Sequence, residues 1–191
     1  MNNQMPDYNV TLRQILRDIR IDLASEFDRN FERQAFFSTA WQRRRSPGKS
    51  SRGILVQTGA LRRSISAKEN PSDGSVTFSS SLPYAAIHNE GGEIKVTARM
   101  KRFFWHKFYE VQGGFKRRKD GSLSRSKVQV RLSTEAEFWQ HMALMKVGST
   151  IKIPRRRFLG TSPELERIVS DIITRNVQEY LDSIPNQMKQ K

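Results

Sequence analysis

The stretch Thr150–Ile184 reads TIKIPRRRFLGTSPELERIVSDIITRNVQEYLDSI, and it holds a strand, a connector and a helix in succession. Thr150 to Ile153 alternates polar and β-branched residues, the pattern of a short strand. Pro154 ends it, and Arg155, Arg156 and Arg157 carry the chain to Phe158-Leu-Gly160. A helix should start near Thr161 or Ser162, either of which can cap it. Pro163 suits its first turn, and Glu164 and Glu166 suit its positive end. Leu165, Ile168, Val169, Ile172, Ile173, Tyr180, Leu181 and Ile184 make the stripe expected to be buried, ahead of a polar tail from Pro185.

A second long helix is expected at the other end of the sequence. From Asp7 to Arg33, Leu12, Ile15, Leu16, Ile19, Leu23, Phe27 and Phe31 recur at intervals of three and four while the other face is charged. The ordinary reading of such a stripe is an intramolecular core helix; at about 38 Å it is longer than one small sheet needs for cover, so the alternative is that part of it packs on a neighbour. Between the helices, Ile54-Leu-Val56 reads as a short buried strand or the start of a helix, and Thr58 can cap a turn bearing Leu61 and Ile65, with little room for bulk at Gly59. Ser64 to Ala67 and Ser75 to Ser80 flank Asn70-Pro-Ser-Asp-Gly74, which predicts a hairpin with Val76 and Phe78 inward and Thr77 and Ser79 outward. Tyr84 to Ile87 and Glu93 to Thr97 are read as completing one small twisted antiparallel sheet. The fold class is therefore α+β, with that sheet clamped by the two long helices.

Residues 98–147 are read as an excursion inserted into a core made of 1–97 and 148–191. It should contain an aromatic helix from Ala98 to Glu110, a basic segment from Gly113 to Lys127 turning at Asp120-Gly121, a strand from Val128 to Leu132 and a helix from Thr134 to Lys146. Met100, Phe103, Phe104 and Phe108 form one helical face, which Phe138, Met142 and Met145 could cover.

Three segments stand out by their order: TGALRRSI with Thr58, Gly59 and Leu61; PYAAIHNEGG with Tyr84, Ala85, Ile87, His88, Gly91 and Gly92; and IPRRRFLG with Pro154, Arg156, Phe158, Leu159 and Gly160. This order resembles the virion morphogenesis or tail completion family of Mu-like tailed phages, as do Trp41 and the apolar run Gly53–Gln57 upstream of the first segment. The resemblance implies a structural, non-enzymatic protein at the head–tail junction. It implies a homo-oligomeric ring, with six subunits as the expectation, that meets connector, portal, tail-tube or terminator proteins and encloses virion DNA. The expected location is the virion, after assembly in the host cytoplasm. Nothing in the resemblance accounts for the excursion.

The 191 residues contain 34 basic and 19 acidic side chains, a net charge of +15, with only 36% apolar residues. Much of the surface is thus basic, which favours nucleic acid or acidic protein partners. Two runs concentrate the charge: Arg43, Arg44, Arg45, Lys49 and Arg52, and then Lys116, Arg117, Arg118, Lys119, Arg125 and Lys127. Both are interrupted by turn formers and are candidate contacts with DNA or an acidic partner. A competing reading is therefore a basic nucleic-acid-binding regulator or DNA packaging accessory. Its weakness is that the aromatics fall at helical spacing instead of alternating with basic residues on strands.

Cysteine is absent, which excludes disulfides and thiolate chemistry. The start MNNQMPDYNVTL lacks the pattern of a secretory leader, and no stretch has the length of apolar sequence that spans a membrane, so a membrane partner is not expected. His88 beside Asn89 and Glu90 could serve as a general base, but no nucleophile accompanies it. His106 and His141 lack a second ligand at useful spacing. No catalytic residue, metal site or cofactor is expected. Arg156 is expected in a salt bridge or facing another subunit.

Overall fold

The computed structural model describes residues 7–44, 52–124 and 126–188. In chain order the elements are α1 (Tyr8–Arg33), β1 (Ala35–Phe36), β2 (Thr39–Ala40), α2 (Ala60–Arg63), β3 (Ile65–Asn70), β4 (Ser75–Ser80), α3 (Ala85–Glu90), β5 (Gly92–Lys95), α4 (Ala98–Gln112), α5 (Lys127–Leu144), β6 (Thr150–Ile153) and α6 (Pro163–Met188). They fall into two compact units. The first comprises 1–41, 55–85 and 157–191; the second comprises 42–54 and 86–156, and so takes in α3, β5 and β6 along with the excursion.

In the first unit α1 begins at Asp7, whose carboxylate accepts from the Asn9 amide, and ends at Gln34 in the left-handed region. Its apolar stripe puts Leu16, Leu23, Phe27 and Phe31 in the interior. Leu23 and Phe27 pack with Phe36 of β1 and Phe37 of the following turn, with Phe78 of β4, with Leu159 ahead of α6, and with Leu165, Ile168 and Val169 from the start of α6. The Phe27 and Phe78 rings meet edge to face at 5.0 Å. A fully buried ring in this layer contributes about 1.5–3 kcal/mol by leaving water. The hairpin β3–β4 pairs Ile65 with Ser80 through Asn70 with Ser75, and Thr77 and Ser79 face outward as the alternation predicts.

The second unit pairs β5 with β6 antiparallel, Gly92 opposite Ile153 and Lys95 opposite Thr150. Val96, 1% exposed, closes the ladder by exchanging backbone hydrogen bonds with Gly148 and Ser149. From Thr97, whose hydroxyl caps α4, the chain runs into a hairpin of α4 and α5 that packs on itself.

The α+β class, the long terminal helices and the small antiparallel ladders are as expected. The strands read as one sheet instead lie in two separate two-stranded ladders, β3–β4 and β5–β6, and the third ladder, β1–β2, was not anticipated. Tyr84 to Ile87 is not a strand, because Ala85 to Glu90 winds into α3. Val128 to Leu132 belongs to a continuous α5. Gln129 is buried there, with its side chain bonded to the Gly114 carbonyl and the Lys116 amide, while Val128 and Val130 face solvent. Ile54 to Val56 is irregular, and α6 continues through Pro185 to Met188. The layer between the excursion helices also differs. Trp139 packs on Phe103 and Phe104, and Ala136 and Ala143 are buried, because small residues let the α5 backbone approach the aromatic face of α4.

Candidate interaction surfaces

The motif residues act as struts within each unit. In the first unit Thr58 accepts from the Ala60 amide at the start of α2, and Leu61 is buried. Gly59 has φ +71, and a Cβ there would meet the flexible end of Arg63, so backbone conformation restricts the position more than space does. Phe158, 1% exposed, lies 5.5 Å from the Phe31 ring, which also meets Trp41 edge to face. Trp41 Nε1 donates to the Arg157 carbonyl at 2.6 Å, and Asn30 Nδ2 reaches the Phe158 carbonyl at 3.4 Å. Leu159 joins the core and Gly160 leads to Ser162, which caps α6 through the Leu165 amide at 3.1 Å. Tyr84 is largely exposed and Ala85 buried.

In the second unit the PYAAIHNEGG and IPRRRFLG segments meet. The Arg156 amide donates to the His88 carbonyl at 2.8 Å, Ile87 lies against Gly92, and Pro154 follows the last residue of β6. Gly91 has φ +74, and a Cβ on it would stand 2.9 Å from the Arg155 backbone nitrogen, so only glycine fits. Arg156 is buried and differs from the expectation. Its Nε donates to the Gln42 carbonyl at 2.9 Å and Nη2 to that of Arg43 at 3.4 Å, so backbone carbonyls, in place of a carboxylate, receive the charge. Burial is the larger cause that pulls its pKa down, with the charge of Arg44 second. His88 is likewise held below its ordinary pKa, by burial first and by Arg156 second.

That environment bears on a general-base role. On a helix, residues two apart lie about 200° around the axis, so His88 and Glu90 point away from each other. Glu90 instead accepts from Asn89 and pairs at 3.9 Å with Arg155. Near the start of α6 a cavity of about 390 Å³ is lined by Phe36, Arg157, Ser162, Glu164 and Arg167 among others. Two of its charged groups are engaged within the unit: Glu164 accepts from Ser38, and the Arg157 guanidinium lies 4.7 Å from the centre of the Phe36 ring. Among the described residues no group of three or more His, Cys, Asp or Glu side chains could hold a metal ion, and no helix is long and apolar enough to cross a membrane.

Of the basic candidates, Arg43, Arg44 and Arg52 lie in the irregular segments of the second unit, where Arg44 donates to the Gly53 carbonyl at 2.6 Å; Arg45, Lys49 and Arg125 lie outside the described residues. Lys116, Arg117, Arg118 and Lys119 form an exposed tip between α4 and α5, and Lys127 opens α5. Four contributors escaped sequence reasoning: Asn30, Gln129, Asn176 and Trp139. Asn30 accepts from the Phe37 amide at 2.9 Å, and Asn176 bridges Asp18 and the Ile172 carbonyl. Both asparagines sit at positions where the helical stripe calls for an apolar residue, and that was the available signal.

Most motif residues thus brace turns within their own unit, while basic and apolar side chains stay exposed at the surface. The chain belongs to the phage virion morphogenesis family, whose match over residues 3–178 takes in the second unit and most of the first. The family supports a structural or assembly role for a bacteriophage virion component. Neither a curated protein nor a solved structure matches the chain.

Proposed function

We propose that this protein is a subunit of the phage head–tail junction, forming a closed ring that joins tail to head. The observation that carries this reading is a row of exposed apolar side chains on α6: Ile173, Val177 and Leu181 are 41%, 40% and 49% exposed at intervals of four residues. They flank the buried Ile172–Asn176 line, so the α6 stripe extends past what the unit itself covers. A different apolar pair, Val10 and Ile21, is exposed on α1. Eleven residues apart, these two share the helix face turned away from the core. Two unlike patches on one subunit favour head-to-tail contact, and head-to-tail contacts generate rings when the rotation closes. The neighbouring rings would be connector, portal, tail-tube or terminator proteins, and the docking is geometric, with no bond made or broken.

Light scattering on the purified protein tests this. The expected result is a discrete ring-sized oligomer that Val177→Glu with Leu181→Glu converts to monomer while the circular dichroism stays native. A wild-type monomer at every concentration, or a double variant that assembles normally, overturns the reading.

A further inference from the structure

The net charge of +15 is not shared between the two units. The first contains thirteen basic and thirteen acidic residues, the second twenty-one basic and six acidic, so the whole excess sits on the second. The cations are also used differently. In the first unit Arg20, Arg29, Arg33, Arg62 and Arg175 each pair with a carboxylate. In the second, Arg99, Lys101, Arg102, Lys116, Arg117, Arg118 and Lys119 have no carboxylate within 4 Å among the described residues.

Neither cluster is placed for the benefit of the fold. Arg99, Lys101 and Arg102 stand in the first turn or so of α4, where the helix dipole disfavours cations, and no acidic residue accompanies them in the first turn. The tip is built to present its charges. Arg117 bridges to Leu123, the Arg118 amide donates to the Ser122 carbonyl at 2.7 Å, and Ser124 donates to the Lys116 carbonyl at 3.0 Å. The one acid in the turn, Asp120, is tied to the Ser122 amide and hydroxyl. With α4 spanning 15 residues, about 22 Å, one cluster lies at its start and the other beyond its end.

We infer that the second unit grips the phosphate backbone of double-stranded DNA without reading its sequence. Protein interfaces have an apolar or aromatic centre and are poor in lysine, whereas the tip offers Leu123 as its one exposed large apolar side chain. Binding of single strands relies on aromatic rings stacked on bases, and the tip from Lys116 to Ser124 has none. A duplex carries a phosphate charge every 1.7 Å of its axis, so a reach of about 22 Å, or roughly six to seven base pairs, presents ample partners to both clusters. The inference rests on the second unit alone, whereas the ring reading rests on the first.

Fluorescence anisotropy with labelled duplexes of two unrelated sequences, titrated with the full chain between about 50 and 200 mM salt, is the test. The expected result is equal affinity for both duplexes and a log–log salt slope of about −6 for seven phosphate contacts. Lys116→Gln, Arg117→Gln, Arg118→Gln and Lys119→Gln together should flatten the slope by about 3 to 4 and weaken low-salt binding more than tenfold. Arg13→Gln with Arg17→Gln in the first unit should change neither. No binding at low salt, equal loss in the first-unit variant, discrimination between the duplexes, or tighter binding of a polyglutamate chain than of DNA would each overturn the inference. The quadruple variant should keep the oligomeric mass of the wild type, which separates failure of DNA binding from failure of assembly.

Discussion

The two units differ in electrostatic design, one neutral and the other strongly basic. The first balances its charges and ties them together: Arg62 bonds Asp28 and, at 2.7 Å, Glu32, while Arg29 and Arg33 share Glu26. The second gathers like charge and, among the described residues, leaves its two main clusters without a paired carboxylate. Their interiors differ as well. Phenylalanines from α1, β1 and β4 meet the aliphatic residues of α6 in the first, whereas in the second an aromatic face of α4 is met by the small residues and Trp139 of α5. A unit that neutralises its own surface can approach copies of itself; one that concentrates cations repels copies and attracts polyanions. Under the two proposals above, assembly falls to the first unit and electrostatic contact to the second.

The largest expected effect comes from emptying the first core. Phe158→Ala removes a ring that touches Phe31 at 1% exposure, and should cost about 3–5 kcal/mol in denaturant unfolding, with amide exchange quickened in α1 and α6. A loss below about 1 kcal/mol would mean that this core is not where the unit gains its stability. Next is Gly91→Ala in the second unit, where a methyl would meet the Arg155 backbone and the left-handed φ is retained. It should cost about 2–3 kcal/mol and raise exchange at the β5–β6 ladder, since backbone cannot yield as a side-chain tip can. An unchanged ladder would show that the Gly91–Arg155 approach is loose.

Much of the first unit's secondary structure was legible in the sequence, although the excursion was read as 98–147 and the second unit spans 42–54 and 86–156. The stripes of α1 and α6 are long enough for a period near 3.6 to be unmistakable, and Asn70–Gly74 between alternating runs fixes the β3–β4 hairpin. The misses are short or inverted. The six residues of α3 are too few to show a period, and β1 and β2 have two residues each. Val128-Gln-Val130 alternates like a strand, yet the buried member is the glutamine, because Gly114 and Lys116 offer it backbone partners that no local pattern announces. Trp139 was missed for a related reason. Reading Phe138, Met142 and Met145 as the buried line follows bulk, while α5 instead turns its small residues inward. The motif segments were visible as punctuation, but their meeting through Arg156 and His88 depends on pairing across more than sixty residues of chain.

A smaller effect separates the units by pH. Burial and Arg156 hold the His88 pKa below 6.5, so the folded second unit binds a proton less readily than the unfolded chain. The stability this represents is complete above about pH 6.5 and is lost as pH falls through the depressed folded value. His88→Gln should flatten that acid slope in unfolding midpoints while leaving exchange in α1 unchanged. A slope that persists in the variant would assign the acid sensitivity to other groups.

The smallest effect tests the charge balance of the first unit. Arg62 holds Asp28 below the usual carboxylate range, chiefly by hydrogen bonding, and the pair is partly open to solvent. Arg62→Gln should therefore cost no more than about 1 kcal/mol at low salt, with the difference shrinking as salt is added. Salt acts in the opposite direction on the second unit, whose self-repulsion it screens, so the α4–α5 amides of the wild type should exchange more slowly as ionic strength rises. If exchange in α4 and α5 instead quickens with salt, their cations have found counter-ions within the unit, and the contrast between a self-neutralised half and a half left charged for a partner fails.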